Sequence, residues 1–202
     1  MKDMPTKERI LYAALDLFAE KGYDGVGVDL TAENAGLKGP SLYRHYKGKE
    51  DIFNSLIDLV ASHYEEGFGL KKKLEEFPDS MDELIKNAME RIRFTMHDDI
   101  VRKTRRILAM EQFRSKRMAE LATRYHVENL QQTYAGIFAG LMERGMLRKD
   151  DPELLALEFV SPVSLLIHMY DRQPEREEEI LDKIGKHFEH FVKVYAKSLS
   201  GF

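Results

Sequence analysis

The sequence contains no cysteine and no tryptophan. Without cysteine, the chain can form neither a disulfide nor a cysteine-ligated zinc site nor a thiol nucleophile. No apolar run approaches the roughly 18–20 residues that a membrane-spanning helix needs. The first residues lack the basic and apolar regions of a signal peptide. These absences predict a soluble cytoplasmic protein with no membrane partner.

The charge of the chain is low and unevenly distributed. Thirty-one basic and 35 acidic residues give a net charge of −4, which excludes a polybasic protein that coats nucleic acid or anionic membrane without discrimination. Residues 1–36 hold four basic and seven acidic residues (−3), whereas residues 38–49 hold four basic residues and no acidic one (+4). The acidic average therefore conceals one basic segment, which is a candidate contact with nucleic acid.

Apolar residues recur at helical spacing along most of the chain, and no segment shows strand alternation. This pattern predicts an all-α fold of about nine helices. Ser80–Glu83 has the form of a capping box, and Asp151 with Pro152 provides a cap and a proline at the first helical position. The segment from Leu154 to Tyr170 is apolar almost all the way round, and a last helix with an apolar stripe follows from about Glu175.

The segment from Val28 to Lys49 predicts two short helices joined by a glycine-containing turn, which is a helix-turn-helix. We predict the first helix over Val28–Ala35 and the second over Pro40–Tyr46. Charge and spacing alone are equally compatible with DNA binding and with an ordinary solvated helix surface. The cations and hydrogen-bonding side chains that can reach phosphate oxygens or base edges are Lys38, Ser41, Tyr43, Arg44, His45, Tyr46, Lys47 and Lys49.

The same segment resembles the DNA-binding domain of the tetracycline-repressor (TetR) family. The resemblance runs from Thr6 to about Phe53 and is most specific from Pro40 to Glu50, which reads PSLYRHYKGKE. Two departures concern the first helix. Val26-Gly27-Val28 stands where the family usually has hydroxyl residues, and Thr31 stands where it usually has isoleucine or leucine.

The resemblance implies roles for individual residues. Tyr43 and Lys49 are expected to contact phosphates, while Leu42 and Ala35 are expected to lie in the core of the motif. The residues expected on the groove-facing side of the second helix or its lead-in are Lys38, Pro40, Ser41, Arg44 and His45.

Beyond residue 50, the resemblance implies a helical bundle that binds a small molecule and dimerises. We therefore predict a DNA-binding domain over residues 1–50 and an effector-binding and dimerisation domain over residues 51–202, with a helix from Glu50 to about Lys72 following the motif. The last two helices are too apolar to be covered within one copy, which predicts a homodimer through them. The default interpretation of the bulky residues on the middle helices is ordinary core, but in a protein of this kind some of them are expected to line a ligand pocket. The candidate pocket residues are Met89, Met96, Phe113, Tyr134, Phe138, His168 and Met169.

No catalytic constellation is recognisable, since a phosphate loop, H-E-x-x-H and G-x-S-x-G are all absent. We predict that the chain is not an enzyme and needs no cofactor besides an unidentified small-molecule effector. His187 and His190 have i, i+3 spacing, but such a pair is more often a solvated feature than a metal site, and no metal is predicted. The basic run from Arg102 to Arg117, interrupted by Glu111, is expected to be a solvated face or an entrance for an acidic ligand.

The predicted function is that of a sequence-specific transcriptional regulator, a repressor that a small molecule releases from a palindromic DNA operator. The alternative is a helical small-molecule-binding protein or enzyme whose helix-turn-helix is purely structural. A third hypothesis is that the chain is a DNA-binding architectural protein that has no effector.

Overall fold

The computed structural model describes residues 4–68 and 78–197, which form α-helices and one isolated β-bridge between Leu147 and Ala196. A π-helical turn, Arg124–Glu128, joins α7 to α8 without a break, so the described residues form nine continuous α-helical stretches. The prediction of an all-α fold with about nine helices is confirmed. The helices are α1 (Thr6–Lys21), α2 (Val28–Asn34), α3 (Gly39–Leu42), α4 (Lys49–Phe68), α5 (Met81–His97), α6 (Asp99–Glu111), α7 (Lys116–Thr123), α8 (Asn129–Glu143), α9 (Pro152–Arg172) and α10 (Glu177–Tyr195).

Two helix starts form as their local sequence predicts. The Ser80 hydroxyl accepts a hydrogen bond from the Glu83 N–H at 3.1 Å. The Asp151 carboxylate accepts hydrogen bonds from the first N–H groups of α9, those of Glu153 at 2.9 Å and Leu154 at 3.4 Å. The predicted end of α4 near Lys72 lies outside the described residues.

The described residues divide into two compact units. The first contains residues 4–67 and 98–120, and the second contains residue 68 and residues 78–97 and 121–197. α6 belongs to the first unit, where the Lys103 ammonium lies 2.5 Å from the Asp16 carboxylate of α1. The predicted boundary at residue 50 does not coincide with this division, and the assignment of functions to residues 1–50 and 51–202 stays a prediction.

The core of the first unit contains a small cavity. Its volume is about 10 Å³, which is about the space that one water molecule needs. Its one polar lining residue is Thr104, whose hydroxyl is buried and has no hydrogen-bond partner among the described residues. A buried water needs two to four polar partners, so this cavity is too apolar to hold one. Its other lining residues are Leu15, Phe53, Leu56, Ile57, Val60, Ile107 and Leu108.

Replacing Thr104 by valine is expected to raise the free energy of unfolding by about 1 kcal/mol. Valine has nearly the same shape and removes a buried hydroxyl that no neighbour satisfies. Urea denaturation followed by circular dichroism measures the change. The matched control is Thr133→Val, because the exposed Thr133 hydroxyl donates to the Asn129 carbonyl at 2.7 Å, and it should change stability by less than about 0.5 kcal/mol. A loss of stability in Thr104→Val would contradict the unpaired hydroxyl.

The second unit is built around the ring of Phe159 on α9, which is 1% exposed. Its centroid lies 4.5 Å from that of Phe188, 4.8 Å from that of Tyr134 and 4.9 Å from that of Phe191. The apolar stripe of α10 is buried in this cluster and therefore covered within one copy. The expectation that α10 needs a second copy to bury its stripe is wrong, because α9 and α8 supply the covering rings.

α9 keeps large apolar side chains at the surface of its unit. Leu154, Leu157 and Leu165 are 48%, 42% and 69% exposed, and their spacing puts them on one side of the helix. Among the described helices, α9 alone is long and apolar enough to cross a membrane by length and composition. A core helix of a water-soluble protein meets the same criteria, and α9 contributes Phe159 to the core.

Candidate nucleic-acid interface

The first helix of the motif, α2, begins without a side-chain cap. Its N-cap residue is Gly27, as the missing hydroxyl residues at Val26-Gly27-Val28 imply. Thr31 is nevertheless well accommodated, because its side chain is buried and its hydroxyl donates to the Gly27 carbonyl at 3.1 Å. The unusual threonine therefore leaves no unpaired polar group in the core of the motif.

The turn after α2 requires a glycine. Gly36 has a φ of +70°, a left-handed conformation that favours glycine after a helix. The Leu37 N–H then donates back to the Ala32 carbonyl at 2.8 Å. The α-helix ends at Asn34, one residue earlier than predicted, because Ala35 is already its cap.

The second helix, α3, is shorter than the predicted Pro40–Tyr46. Its α-helical part is Gly39–Leu42, and a turn follows through His45. The Leu42 carbonyl accepts hydrogen bonds from the N–H groups of both His45 (2.8 Å) and Tyr46 (3.1 Å). Sharing of one carbonyl between two N–H groups is common where a helix tightens and ends.

The predicted DNA-contact residues lie on the outside of this motif, while Leu42 anchors it with 0% exposure. Ser41 and Lys49 are half-buried. The six exposed members are Lys38, Pro40, Tyr43, Arg44, His45 and Lys47. The structure thus brings four cations to one short segment with an apolar inner face.

The prediction that Tyr46 can reach phosphate oxygens or base edges is wrong. It is 2% exposed, and its hydroxyl donates to the Lys7 carbonyl of α1 at 3.3 Å. Burial raises the pKa of Tyr46 to about 12. Tyr46 therefore anchors the motif to α1 and is not available to nucleic acid, because the chain turns inward after His45.

The ammonium of Lys49 is held at the start of α4. Its Nζ lies 4.3 Å from the centroid of the Tyr23 ring and 3.5 Å from the Asp24 carbonyl oxygen. The Tyr23 ring packs in turn against Phe18 and Phe53, with centroid distances of 5.3 and 5.2 Å. A cation over an aromatic face is attracted by the ring quadrupole, so the position of Lys49 depends on that of Tyr23.

Side chains from the distant segment 98–120 also hold the motif. The Arg117 guanidinium lies 3.3 Å from the Glu50 carboxylate and over the Phe53 ring. Glu111 is 2% exposed and accepts a hydrogen bond from the Tyr23 N–H at 3.0 Å. The basic run that Glu111 interrupts is therefore not solvated at this position. No local signal identifies this contact, because the two residues are 88 positions apart.

The candidate pocket residues are divided between the two units. Phe113 lies in the first unit and is 90% exposed, because α6 ends at Glu111 and Phe113 falls in the turn that follows; it lines no enclosed cavity in this structure. The other six lie in the second unit. Met96, Tyr134 and Phe138 are buried, and Met89, His168 and Met169 are half-buried. That these six line a ligand cavity stays a prediction.

Three histidines of the second unit have local partners. His187 Nε2 lies 3.0 Å from the Phe159 carbonyl oxygen, and the His168 ring lies edge-on to that of His126 with 6.1 Å between centroids. Within residues 4–68 and 78–197, no three histidine or carboxylate side chains converge as metal ligands.

A family model described as bacterial regulatory proteins, tetR family, matches residues 10–56. The N-terminal part of the chain therefore matches the tetR family of bacterial regulatory proteins. The matched residues contain about three quarters of α1, the whole of α2 and α3, and the first turns of α4. The family match therefore coincides with the motif that carries the exposed cations.

Known TetR-family regulators resemble the chain in sequence and in fold. The IcaR negative transcriptional regulator of the biofilm operon icaADBC from Staphylococcus epidermidis is 29% identical over 125 residues, which are 48% of this chain and 68% of that protein. IcaR from Staphylococcus aureus strain Newman is 39% identical over 51 residues, which are 25% of this chain and 27% of that protein. The match to the S. aureus protein thus spans about a quarter of its length.

The fold has solved counterparts over nearly its whole length. The structure of SmeT, the repressor of the Stenotrophomonas maltophilia multidrug efflux pump SmeDEF, has a TM-score of 0.71 and 20% identity, and covers 98% of this chain and 94% of its own. These findings confirm the prediction of a TetR-like fold with an N-terminal helix-turn-helix and a helical C-terminal part.

Proposed function

We propose that this TetR-family protein is a homodimeric repressor that binds a palindromic operator and leaves it when a small molecule binds in the C-terminal part of the chain. The observation that carries the proposal is the exposure of Lys38, Arg44 and Lys47 around the buried anchor Leu42, within the residues that match the family. IcaR is a negative transcriptional regulator, and SmeT is a repressor that has also been solved in complex with triclosan. Both relatives support the proposed repression, and the SmeT complex supports an effector.

The second helix of a helix-turn-helix enters the major groove, while the first helix crosses the backbone. In this chain, α3 and its following turn present Ser41, Arg44 and His45 towards base edges. Tyr43, Lys47 and Lys49 supply phosphate contacts, from which the salt-dependent part of the affinity comes.

The exposed leucines of α9 are the proposed contact between two copies. Three large apolar side chains on one side of a helix favour burial against an equivalent helix. Dimerisation then places two α3 helices about 34–36 Å apart, one turn of B-DNA, on one face of a palindrome.

The proposed effector is a largely apolar small molecule bound in the second unit. Met89 and Met169 are half-buried beside the packed aromatic cluster, and methionine repacks readily around different apolar ligands. Release from DNA requires that the effector prefer the non-binding geometry by several kcal/mol. We propose further that the protein acts in the cytoplasm, catalyses no reaction and needs no cofactor.

Two substitutions in the motif are expected to have different effects on the sequence preference of DNA binding. Arg44→Ala should weaken operator binding by about 1–3 kcal/mol and relax the base preference, whereas Tyr43→Phe should weaken binding to all sequences alike. Fluorescence anisotropy with an operator duplex and a random duplex of equal length measures both affinities. Equal losses on the two duplexes for Arg44→Ala would contradict a base-reading role.

A gel shift with the DNA that flanks the protein's own gene tests the proposed function. We expect a salt-sensitive complex that resists excess random competitor, because specific sites bind far more tightly than non-specific DNA. Absence of such a complex at every flanking sequence would contradict the proposal. Enzymatic turnover without any DNA complex would favour a small-molecule enzyme with a structural helix-turn-helix. DNA binding together with a filled C-terminal core would favour an architectural protein.

A further inference from the structure

Glu111 is a buried carboxylate at the end of α6 that the proposed function does not yet use. Its Oε1 accepts the hydrogen bond from the Tyr23 N–H at 3.0 Å. The same oxygen would lie 2.8 Å from a Cβ added to Gly22. The carboxylate therefore lies directly against the backbone of the turn between α1 and α2.

This turn has few constraints of its own. Gly22, Gly25 and Gly27 are three glycines within six residues, and glycine restricts the backbone least. Gly27 caps α2 without a side-chain hydrogen bond. An acceptor from α6 therefore supplies a restraint that the turn itself lacks.

Burying a carboxylate is costly unless hydrogen bonds compensate for the lost water. An apolar residue at position 111 would avoid that cost, yet it would leave the Tyr23 N–H without its acceptor. The Glu111 carboxylate thus fixes the turn in one defined position, and its burial costs the unit some stability.

The restraint continues through Tyr23 to the predicted phosphate contact. The backbone of Tyr23 is fixed by Glu111, its ring packs between Phe18 and Phe53, and the Lys49 ammonium lies over that ring at 4.3 Å. All of these residues belong to the first unit. We infer that Glu111 is a positioning residue for DNA binding, which fixes the Tyr23 turn so that Lys49 is held where it meets a phosphate.

This inference rests on the proposed function, and a double-mutant cycle between Glu111→Ala and Lys49→Gln tests it. Glu111→Ala should weaken operator binding about tenfold and lower the salt slope of log K by about 1, the signature of one lost phosphate contact. In the Lys49→Gln background, Glu111→Ala should have little further effect, because both substitutions remove the same contact.

Glu111→Gln keeps the shape of the side chain and removes its charge. A neutral amide accepts a hydrogen bond less strongly than a carboxylate, so we expect a smaller loss of affinity with the same dependence on Lys49. A direct charge effect predicts the reverse, since removing a negative charge near DNA raises affinity. The matched control is Glu120→Gln, an exposed glutamate of the same unit, which should leave the affinity within about twofold.

The outcomes separate this inference from the proposed function. Failure of the unsubstituted protein to bind any operator overturns both. Normal binding by Glu111→Ala, a gain of affinity in Glu111→Gln, or effects that simply add to those of Lys49→Gln overturn the positioning role alone. If Glu111→Ala does not fold, the same cycle is run with Glu111→Gln, whose sign decides between positioning and charge.

Discussion

Replacing Phe159 by alanine is expected to lower the free energy of unfolding by about 3–5 kcal/mol. The ring is 1% exposed and contacts aromatic rings from both α8 and α10. Its removal deletes apolar contacts and leaves a cavity that several bulky neighbours cannot fill together. Aromatic pairing adds a further contribution to each contact. Because typical domains are stable by only about 5–15 kcal/mol, such a loss removes much of the stability of the second unit.

Urea denaturation followed by circular dichroism measures the effect of Phe159→Ala. The matched control is Phe113→Ala, because Phe113 has the same side chain at 90% exposure and should change stability by less than about 0.5 kcal/mol. Similar midpoints for the two variants would contradict the packing described for the second unit. A loss of stability in Phe159→Ala but not in Phe113→Ala would support the central place of the Phe159 ring in the packing of the second unit.

The second large effect is expected from a substitution on the exposed side of α9. Leu165→Glu is expected to raise the dissociation constant of the dimer about 30-fold or more, equivalent to about 2 kcal/mol. Leu165 is 69% exposed in one copy, so glutamate does not disturb the fold of the unit. It would, however, carry a charge into the proposed apolar contact. Operator affinity should fall in parallel, because one copy reaches only one half-site.

Analytical ultracentrifugation measures the dimer, and anisotropy with the operator duplex measures DNA binding. Lys149→Ala is the control, since Lys149 is exposed just before α9 and its removal changes the net charge by the same −1 as Leu165→Glu. A dimer as strong in Leu165→Glu as in the control would place the contact between copies elsewhere. Loss of DNA binding with an intact dimer would show that Leu165 affects DNA binding by a route other than dimerisation.

Features that depend on neighbouring residues were predictable from the sequence. The Ser80 and Asp151 caps form as expected, because capping joins groups three residues apart or fewer. The exposed residues between Lys38 and Lys47 follow from charge and helical spacing, except that Tyr46 is buried. The two helices of the motif are shorter than predicted, because Ala35 caps α2 early and α3 tightens after Leu42. The family resemblance then extended this local pattern to a function.

Features that depend on distant packing were not predictable. In the sequence, Glu111 is one acidic residue within a basic helical run. Only the tertiary fold brings it into contact with Tyr23. Phe113 is a bulky apolar residue of the kind that lines ligand pockets. It is nevertheless exposed to solvent, because α6 ends at Glu111 and Phe113 lies in the turn that follows. The burial of the α10 stripe within one copy depends on the rings of α8 and α9, which periodicity within α10 does not reveal.

The brevity of α3 limits how much sequence one copy can recognise. Four α-helical residues rise about 6 Å, and with their flanking side chains they reach about four base pairs. A motif of about four base pairs recurs by chance about once in 256 positions, whereas about eight base pairs recur about once in 65,000 among the millions of competing genomic sites. In the proposed dimer, the information that defines a target is therefore divided between two copies, and loss of one copy would reduce selectivity far more than it would reduce the number of contacts.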